Sequence, residues 1–323
     1  MRLSPDYFDN RLDTTCENIQ PATSRRVSFG AVGPPEDTTV GCFRSLEDAI
    51  ADCVHDRDSV ALEGFTHLIP FAAGHEIIRQ RRKELTLIRM TPDLIYDQLI
   101  GAGCARKLVF SWGGNPGVGS LHRFRDAVEH GWPTPLELDE HSHAAMASAY
   151  DAGAANLPFA VLRAYQAATQ LADVNPRIRT IICAFTGEAL AAVPAIRPDV
   201  TIIHAQKSDY DGNVLIEGII GVQKQAVLAA SRAVVTVEEV VPVLDAHPNA
   251  CVLPHWTVTA VAVVPEGARP SYAHGYYSRD NAFYLEWDRI SRDRHEFVAW
   301  LNHHVIGRRS HSVAFDRNAT IPS

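Results

Sequence analysis

The stretch Glu137-Leu-Asp-Glu-His-Ser-His143, followed by an alanine-rich run and then Asn156-Leu-Pro-Phe-Ala-Val-Leu-Arg163, gathers side chains that can do chemistry. It sets the carboxylates of Asp139 and Glu140 at the end of a short apolar strand, beside His141, Ser142 and His143, with Arg163 further along. A carboxylate can attack a thioester as a nucleophile or act as general base next to a carbonyl. Strand-to-helix junctions are where α/β proteins hold ligands, because backbone N–H groups and strand ends converge there. The same residues also have a plain structural reading, with Asp139 as an N-cap and Glu140 as a first-turn acid favoured by the helix dipole. Glu63, Glu188 and Glu238 are further acids near strand ends, and residue type does not say which of them reacts.

Other catalytic devices are excluded by spacing. The chain has 15 histidines but no His-Glu-x-x-His, and His141 and His143 would splay apart on a helix, so no metal site is expected. No Gly-x-Ser-x-Gly elbow is present. The run Trp112-Gly113-Gly114-Asn115-Pro116-Gly117-Val118-Gly119 follows a strand signal and would let backbone approach a ligand closely. It lacks the Gly-Lys-Ser/Thr of a P-loop and does not fit G-x-G-x-x-G, which excludes nucleotide binding by those two devices. A tight loop without a ligand is its other reading. Asp209-Tyr-Asp-Gly-Asn213 places its glycine too early for a calcium loop and reads as a β-turn between strands.

Elements that could position these residues alternate along the chain. Ser45 caps a helix with apolar Leu46, Ala49, Ile50 and Cys53 at helical spacing; Ser59-Val-Ala-Leu is a strand ended by Glu63-Gly64-Phe65; Pro70 opens a helix. The cycle repeats with strands at 85–90 and 107–111 and helices at 92–102 and 121–130. Later strands are expected at 181–183, 200–203, 214–216, 233–237 and 258–264, with a helix at 222–230. Such alternation predicts an α/β fold: an open, mainly parallel sheet with helices on both faces. From Ser278 to His304, Phe283, Tyr284, Trp287, Ile290, Phe297 and Trp300 recur at helical spacing, an aromatic stripe for the core or a subunit contact.

Residues 1–43 are polar and aperiodic and read as a flexible extension, 44–306 as one domain, and 307–323 as a frayed tail. A hydrophobic fraction of 46% is ample for a core, and a net charge of −8 argues against a nucleic-acid surface. No run has the length of a membrane span, and the first residues lack a signal-peptide core, so a cytoplasmic protein is expected. The six cysteines form no Cys-x-x-Cys pair and read as reduced thiols.

In order along the chain, Glu63-Gly64-Phe65 with Pro70, Glu140-His-Ser-His143 through Asn156-Leu-Pro-Phe159, Phe185-Thr-Gly-Glu188, Asp211-Gly-Asn-Val214, Gly221-Val-Gln-Lys224 and Thr236-Val-Glu-Glu239 resemble segments of one family. It is that of the α subunits of family I coenzyme A transferases, especially the glutaconate type. The resemblance implies a heterodimer or an α2β2 assembly in which the β partner supplies the glutamate that attacks the acyl-CoA thioester, passing through an anhydride and a glutamyl-CoA thioester. Nothing here matches the Ser-Glu-Asn-Gly segment that carries that nucleophile. The chain is then expected to contribute half an active site, with Gly64, Phe65, Gly113, Gly114, Asn115, Ser142 and Arg163 toward the substrate and backbone N–H groups near Gly64 or Gly113-Gly114 stabilising an oxyanion. Coenzyme A enters as the thioester substrate, with no bound cofactor. A branch of the same family opens a carbon ring by hydrolysis with a glutamate of the α subunit, the role Glu140 would take there. A non-catalytic subunit is the third reading.

Overall fold

Aliphatic runs closed by a glycine or a charged residue become strands, and the amphipathic segments between them become the helices that cover the sheet. The structure, a computed structural model, describes residues 42–116, 118–163, 170–308 and 312–313. The expected N-terminal extension lies, but for its last two residues, outside the described residues.

In chain order the elements are α1 (Leu46–Cys53), β1 (Ser59–Glu63), α2 (Phe71–Arg79), β2 (Leu85–Arg89), α3 (Leu94–Gly101), β3 (Ala105–Phe110), α4 (His122–His130), β4 (Glu137–Glu140) and α5 (His143–Ala154). There follow β5 (Phe159–Leu162), α6 (Leu171–Val174), β6 (Arg179–Ile182), β7 (Ala189–Pro194), β8 (Val200–Asp209), β9 (Val214–Ile216) and α7 (Gln223–Ala229). The chain continues with β10 (Arg232–Val241), β11 (Cys251–Leu253), β12 (Ala260–Val263), α8 (Asn281–Arg292) and α9 (Arg294–Leu301).

Strands β4, β3, β2, β1, β8, β10 and β12 lie side by side and all run parallel. β9 turns back antiparallel on the end of β8 and carries β11. Winding proceeds from β1 toward β4, then restarts at β8 and proceeds the other way to β12. The order therefore reverses between β1 and β8, and the crevice beyond the carboxyl ends of those strands is where open α/β sheets bind ligands.

Alternation along the strands explains why both faces are covered. Val60 and Leu62 of β1 and Leu85 and Leu87 of β2 join a core with α1, α2, α3, α8 and α9. Ala61, Ile88 and Val109 point the other way, onto Met146 and Tyr150 of α5 and Ala226 of α7. The aromatic stripe is core: Tyr284, Trp287 and Phe297 are fully buried, and the Trp287 indole N–H donates to Asp97 Oδ2 at 3.0 Å. The long C-terminal pattern is two helices, because Asp293 ends one and caps the next, accepting from the His295 and Glu296 N–H groups.

One feature was not expected. β5, β7 and β6 form a separate three-stranded antiparallel sheet. It packs on the alanine face of α5 through Ala145, Ala149, Ala152, Ala160, Ala191 and Val193. In the C-terminal tail, the Val313 N–H donates to the Val263 carbonyl at 2.9 Å, so this residue pairs with the sheet edge.

Candidate active site

A cavity of about 270 Å³ opens at the reversal point of the sheet. Its wall is formed by Glu63 at the end of β1 and the loop to Thr66, Arg89 at the end of β2 with Met90, Thr91 and Asp93 after it, Pro116, His143 at the start of α5, Val222 just before α7, and Tyr272 and Arg279. That volume is at the low end for a small-molecule site.

The loop after β1 is shaped by Gly64. A Cβ there would lie 2.6 Å from the Leu68 carbonyl oxygen and 2.8 Å from that of His67, so only glycine lets the chain fold back so tightly. Thr66 and Leu68 take left-handed backbone angles, with φ of 62° and 54°. Such strain persists only when neighbours enforce it. Here the Leu68 N–H donates to the Tyr272 carbonyl at 2.9 Å, Ser271 Oγ donates to the Thr66 carbonyl at 3.2 Å, and the His67 ring stacks on Tyr272 with centroids 5.0 Å apart.

Arg89 is 2% exposed and works as a backbone clamp. Nη1 donates to the Leu62 carbonyl at 2.8 Å, Nη2 to that of Gly64 at 2.7 Å, and Nε to that of Thr91 at 2.8 Å. Its charge sits beside two buried carboxyls. Burial pushes Glu63 up to about 7, outweighing the Arg89 charge, the 2.8 Å hydrogen bond donated by the Tyr150 hydroxyl, and the backbone N–H groups of Gly64 and Met90. Burial also raises Asp93, opposed by Arg89 and by the Leu94 N–H that it caps at 2.6 Å. Both shifts have the same origin, since desolvation disfavours the charged form.

On the outer wall, the Arg279 guanidinium lies over the Tyr284 ring at 3.7 Å, and Nη2 donates to the Pro116 carbonyl at 2.9 Å. His143 Nε2 is 3.1 Å from Thr91 Oγ1. The pocket thus offers a carboxyl poised between its two protonation states, a half-buried arginine, and the apolar surfaces of Phe65, Met90 and Val222.

The residues expected from sequence are divided by the structure. Gly64 and Phe65 line the cavity. The Gly64 N–H is turned toward the Glu63 carboxyl. Among the described residues of the glycine loop only Pro116 reaches the cavity wall; Gly113 abuts Phe124, Gly114 lies under Trp112, and the buried Asn115 donates Nδ2 to the Tyr284 carbonyl at 2.8 Å. Ser142 is the N-cap of α5, its Oγ accepting the Ala145 N–H at 3.1 Å, and its neighbour His143 is the lining residue.

Asp139 and Glu140 end β4 and precede that cap, so neither has the capping or first-turn place expected for it. Glu140 is exposed, and its carbonyl accepts from Asn175 Nδ2 at 2.8 Å. Asp139 is buried in a clamp, taking His141 Nε2 at 2.9 Å, Asn175 Nδ2 at 3.0 Å, Arg177 Nε at 3.0 Å and Lys107 Nζ at 3.3 Å. Burial opposes its ionisation, but the hydrogen bonds from His141 and Asn175 and the charges of His141 and Lys107 hold it well below the usual carboxylate range. Arg163 stands at the end of β5 with its side chain 78% exposed, paired with Glu188 at 3.2 Å. It is not part of the cavity wall.

Sequence reasoning passed over Arg89, Asp93, Tyr272 and Arg279, and took Glu63 only as one acid among several. A signal existed for Glu63, an acid closing an apolar run directly before a glycine. Arg279 had none, because its partners Pro116 and Tyr284 come together only in the fold.

Residues 43–263 match the family model for coenzyme A transferase. The chain belongs to the coenzyme A transferase family. It is 65% identical over 268 residues to the α subunit of the 3-oxoadipate CoA-transferase of Pseudomonas knackmussii, covering 83% of this chain and 95% of that one. It is 31% identical over 286 residues to the α subunit of the glutaconate CoA-transferase of Acidaminococcus fermentans, covering 83% of this chain and 88% of that one. The crystal structure of the Acidaminococcus transferase superposes with a TM-score of 0.77 over 83% of this chain and 90% of that chain, at 32% identity. A variant of the decarboxylase AibA/AibB superposes with a TM-score of 0.69 at 28% identity, over 80% of this chain and 98% of that chain. The expectation of a CoA-transferase α chain with an open α/β fold is therefore borne out.

Proposed function

We propose that this chain is the α subunit of a CoA-transferase that moves coenzyme A between two carboxylic acids, one of them a short 3-oxo dicarboxylic acid of the 3-oxoadipate type. The observation that carries the substrate class is the 65% identity to one chain of a 3-oxoadipate transferase over nearly its whole length. The pocket agrees with it, since an apolar wall fits a short carbon chain and Arg279 gives an anion a favourable field. A β partner, in a heterodimer or an α2β2 assembly, supplies the attacking glutamate. Its carboxylate oxygen bonds to the thioester carbon and displaces the CoA thiolate to give an anhydride; the thiolate then attacks the glutamyl carbonyl, leaving a glutamyl-CoA thioester and the free acid. The acceptor acid runs the same steps in reverse. This chain binds and orients the acyl group, excludes water from it, and takes the thioester as substrate with no resident cofactor. The cytoplasm is the compartment that fits a CoA-dependent reaction.

The hydrolytic reading, with Glu140 as base, draws no support from the geometry, because that side chain is exposed at the end of β4 and the cavity is lined by other residues. Co-expression with the neighbouring β-subunit gene and chromatography of thioesters test the proposal. The assembled enzyme should pass CoA from a dicarboxylic acyl-CoA to 3-oxoadipate without releasing free CoA. Full-rate transfer by the isolated chain, or release of CoA in step with thioester loss, would refute it.

A further inference from the structure

We propose that Arg279 binds the remote carboxylate of the acyl group and so determines the preference for dicarboxylic over monocarboxylic acids. The inference rests on the proposed reading of the pocket as the acyl site. Two arginines line this cavity, and they are not equivalent. Arg89 is buried and spends all three kinds of guanidinium nitrogen on the carbonyls of Leu62, Gly64 and Thr91. Its charge is already faced by Glu63 and Asp93. It holds the loop, with three of its five N–H donors committed to backbone carbonyls.

Arg279 is half-buried and forms no ion pair among the described residues. Asp93 feels its charge, more weakly than that of Arg89, and burial keeps that carboxyl toward its neutral form. One terminal nitrogen is fixed on the Pro116 carbonyl at 2.9 Å and the guanidinium is stacked on Tyr284 at 3.7 Å. Those two contacts fix the orientation of the fork and leave its charge for a ligand. A planar fork held in this way is suited to a carboxylate, and its ordering cost is met before the ligand arrives.

The segment carrying it is also held in place. The Asp280 N–H donates to the Pro270 carbonyl at 2.9 Å, and the Asp280 side chain caps α8 through the Phe283 N–H at 3.0 Å. The arginine therefore sits at a fixed distance from the strand-end loop, which is what discrimination by chain length and charge requires. The apolar wall of Phe65, Met90 and Val222 supplies the contact for the intervening carbons.

The test uses the assembled α and β chains and measures kcat/KM for four- to six-carbon diacids and for monoacids of equal length, including 3-oxoadipate and 3-oxohexanoate. Wild type should prefer the diacid. Arg279→Met should lower kcat/KM for the diacid by about 100-fold, mainly through KM, the size expected when a buried charge-assisted contact is lost. The monoacid should change by less than about threefold, and Arg279→Lys should restore part of the diacid rate. An equal loss for diacid and monoacid, or no loss for either, would overturn the role of Arg279. A wild type that prefers another diacid to 3-oxoadipate overturns the substrate reading, while the diacid-to-monoacid ratio of Arg279→Met still decides the arginine. A wild type indifferent to the second carboxylate overturns both.

Discussion

Replacing Glu63 by glutamine should change how stability depends on pH, and the size of the change follows from the pocket. Glu63 is 3% exposed, accepts the Tyr150 hydroxyl, and lies near Arg89. Two opposing influences act on it. Burial favours the neutral acid and the guanidinium favours the carboxylate; burial wins, taking the group from 4.5 to about 7. In the unfolded chain the carboxyl ionises near its ordinary value, so between these two values the folded protein holds a proton that the unfolded chain has released. Stability at this site is thus fully present below the unfolded value and is lost as pH rises through the folded one. At about 1.4 kcal/mol per pH unit the full loss is about 3 kcal/mol, of which about 2.5 kcal/mol falls between pH 5 and pH 8.

Glutamine keeps the shape and titrates nothing. The stability of Glu63→Gln relative to wild type should therefore rise by about 2.5 kcal/mol from pH 5 to pH 8, on top of any constant offset from the exchanged hydrogen bonds. Urea unfolding at pH 5, 6, 7 and 8 measures it. Asp97, which burial also raises to about 7, adds a similar slope to both proteins and cancels in the difference. A difference that stays flat across this range would show Glu63 ionised throughout, with the Arg89 charge outweighing burial, and the account of the pocket would fail.

Three further outcomes are expected. Gly64→Ala, whose methyl would meet carbonyl oxygens at 2.6 and 2.8 Å, should force the strand-end loop open and reduce transfer at least about tenfold in kinetic assays, while size-exclusion chromatography still finds the assembled enzyme. Ser142→Ala should lower stability by about 1 kcal/mol in thermal melts and leave kcat and KM within about twofold, because its hydroxyl caps α5. Cys183, drawn down by the Thr186 hydroxyl and the Phe185 and Thr186 N–H groups, should be alkylated first among the described cysteines near pH 7; peptide mapping that found Cys104, which burial pushes up to about 12, ahead of it would contradict this.

The fold was legible wherever local pattern and tertiary demand agreed. Ser59-Val-Ala-Leu had to be a buried strand because both faces of its residues are apolar, and the structure uses them on both: Val60 and Leu62 one way, Ala61 the other. Of the small sheet only the strand at 181–183 was expected; β5 is four residues long and exposes the alternate residues Phe159 and Val161, which makes it resemble a loop. For the site, Gly64 and Phe65 were readable from a glycine after a strand. Asp139 and Arg163 were misleading for a common reason, which is that charged side chains at strand ends also tie sheets to their neighbours. Asp139 does so through His141, Asn175, Arg177 and Lys107, and Arg163 through Glu188. Nothing in one dimension separates an acid that clamps from an acid that faces a ligand.

That separation is made by how each charge is satisfied. Asp139 receives two hydrogen bonds from neutral or protonated donors and two cations, so it stays ionised and has no capacity left for a substrate. Glu63 receives the Tyr150 hydroxyl and the Gly64 and Met90 N–H groups and shares Arg89 with Asp93, but it is fully buried, so burial prevails and its proton remains exchangeable near neutrality. A carboxyl in that state can sit beside an incoming carboxylate by keeping its proton, where a fixed negative charge would repel the ligand. Arg89 could not be removed without exposing three backbone carbonyls to an apolar cavity, yet its presence alone does not make the pocket cationic, because two acids face it. The second arginine is what tips the field. Neither arginine on the wall has an acid at ion-pair distance among the described residues, and Arg279 is the one whose fork is not tied to three backbone carbonyls.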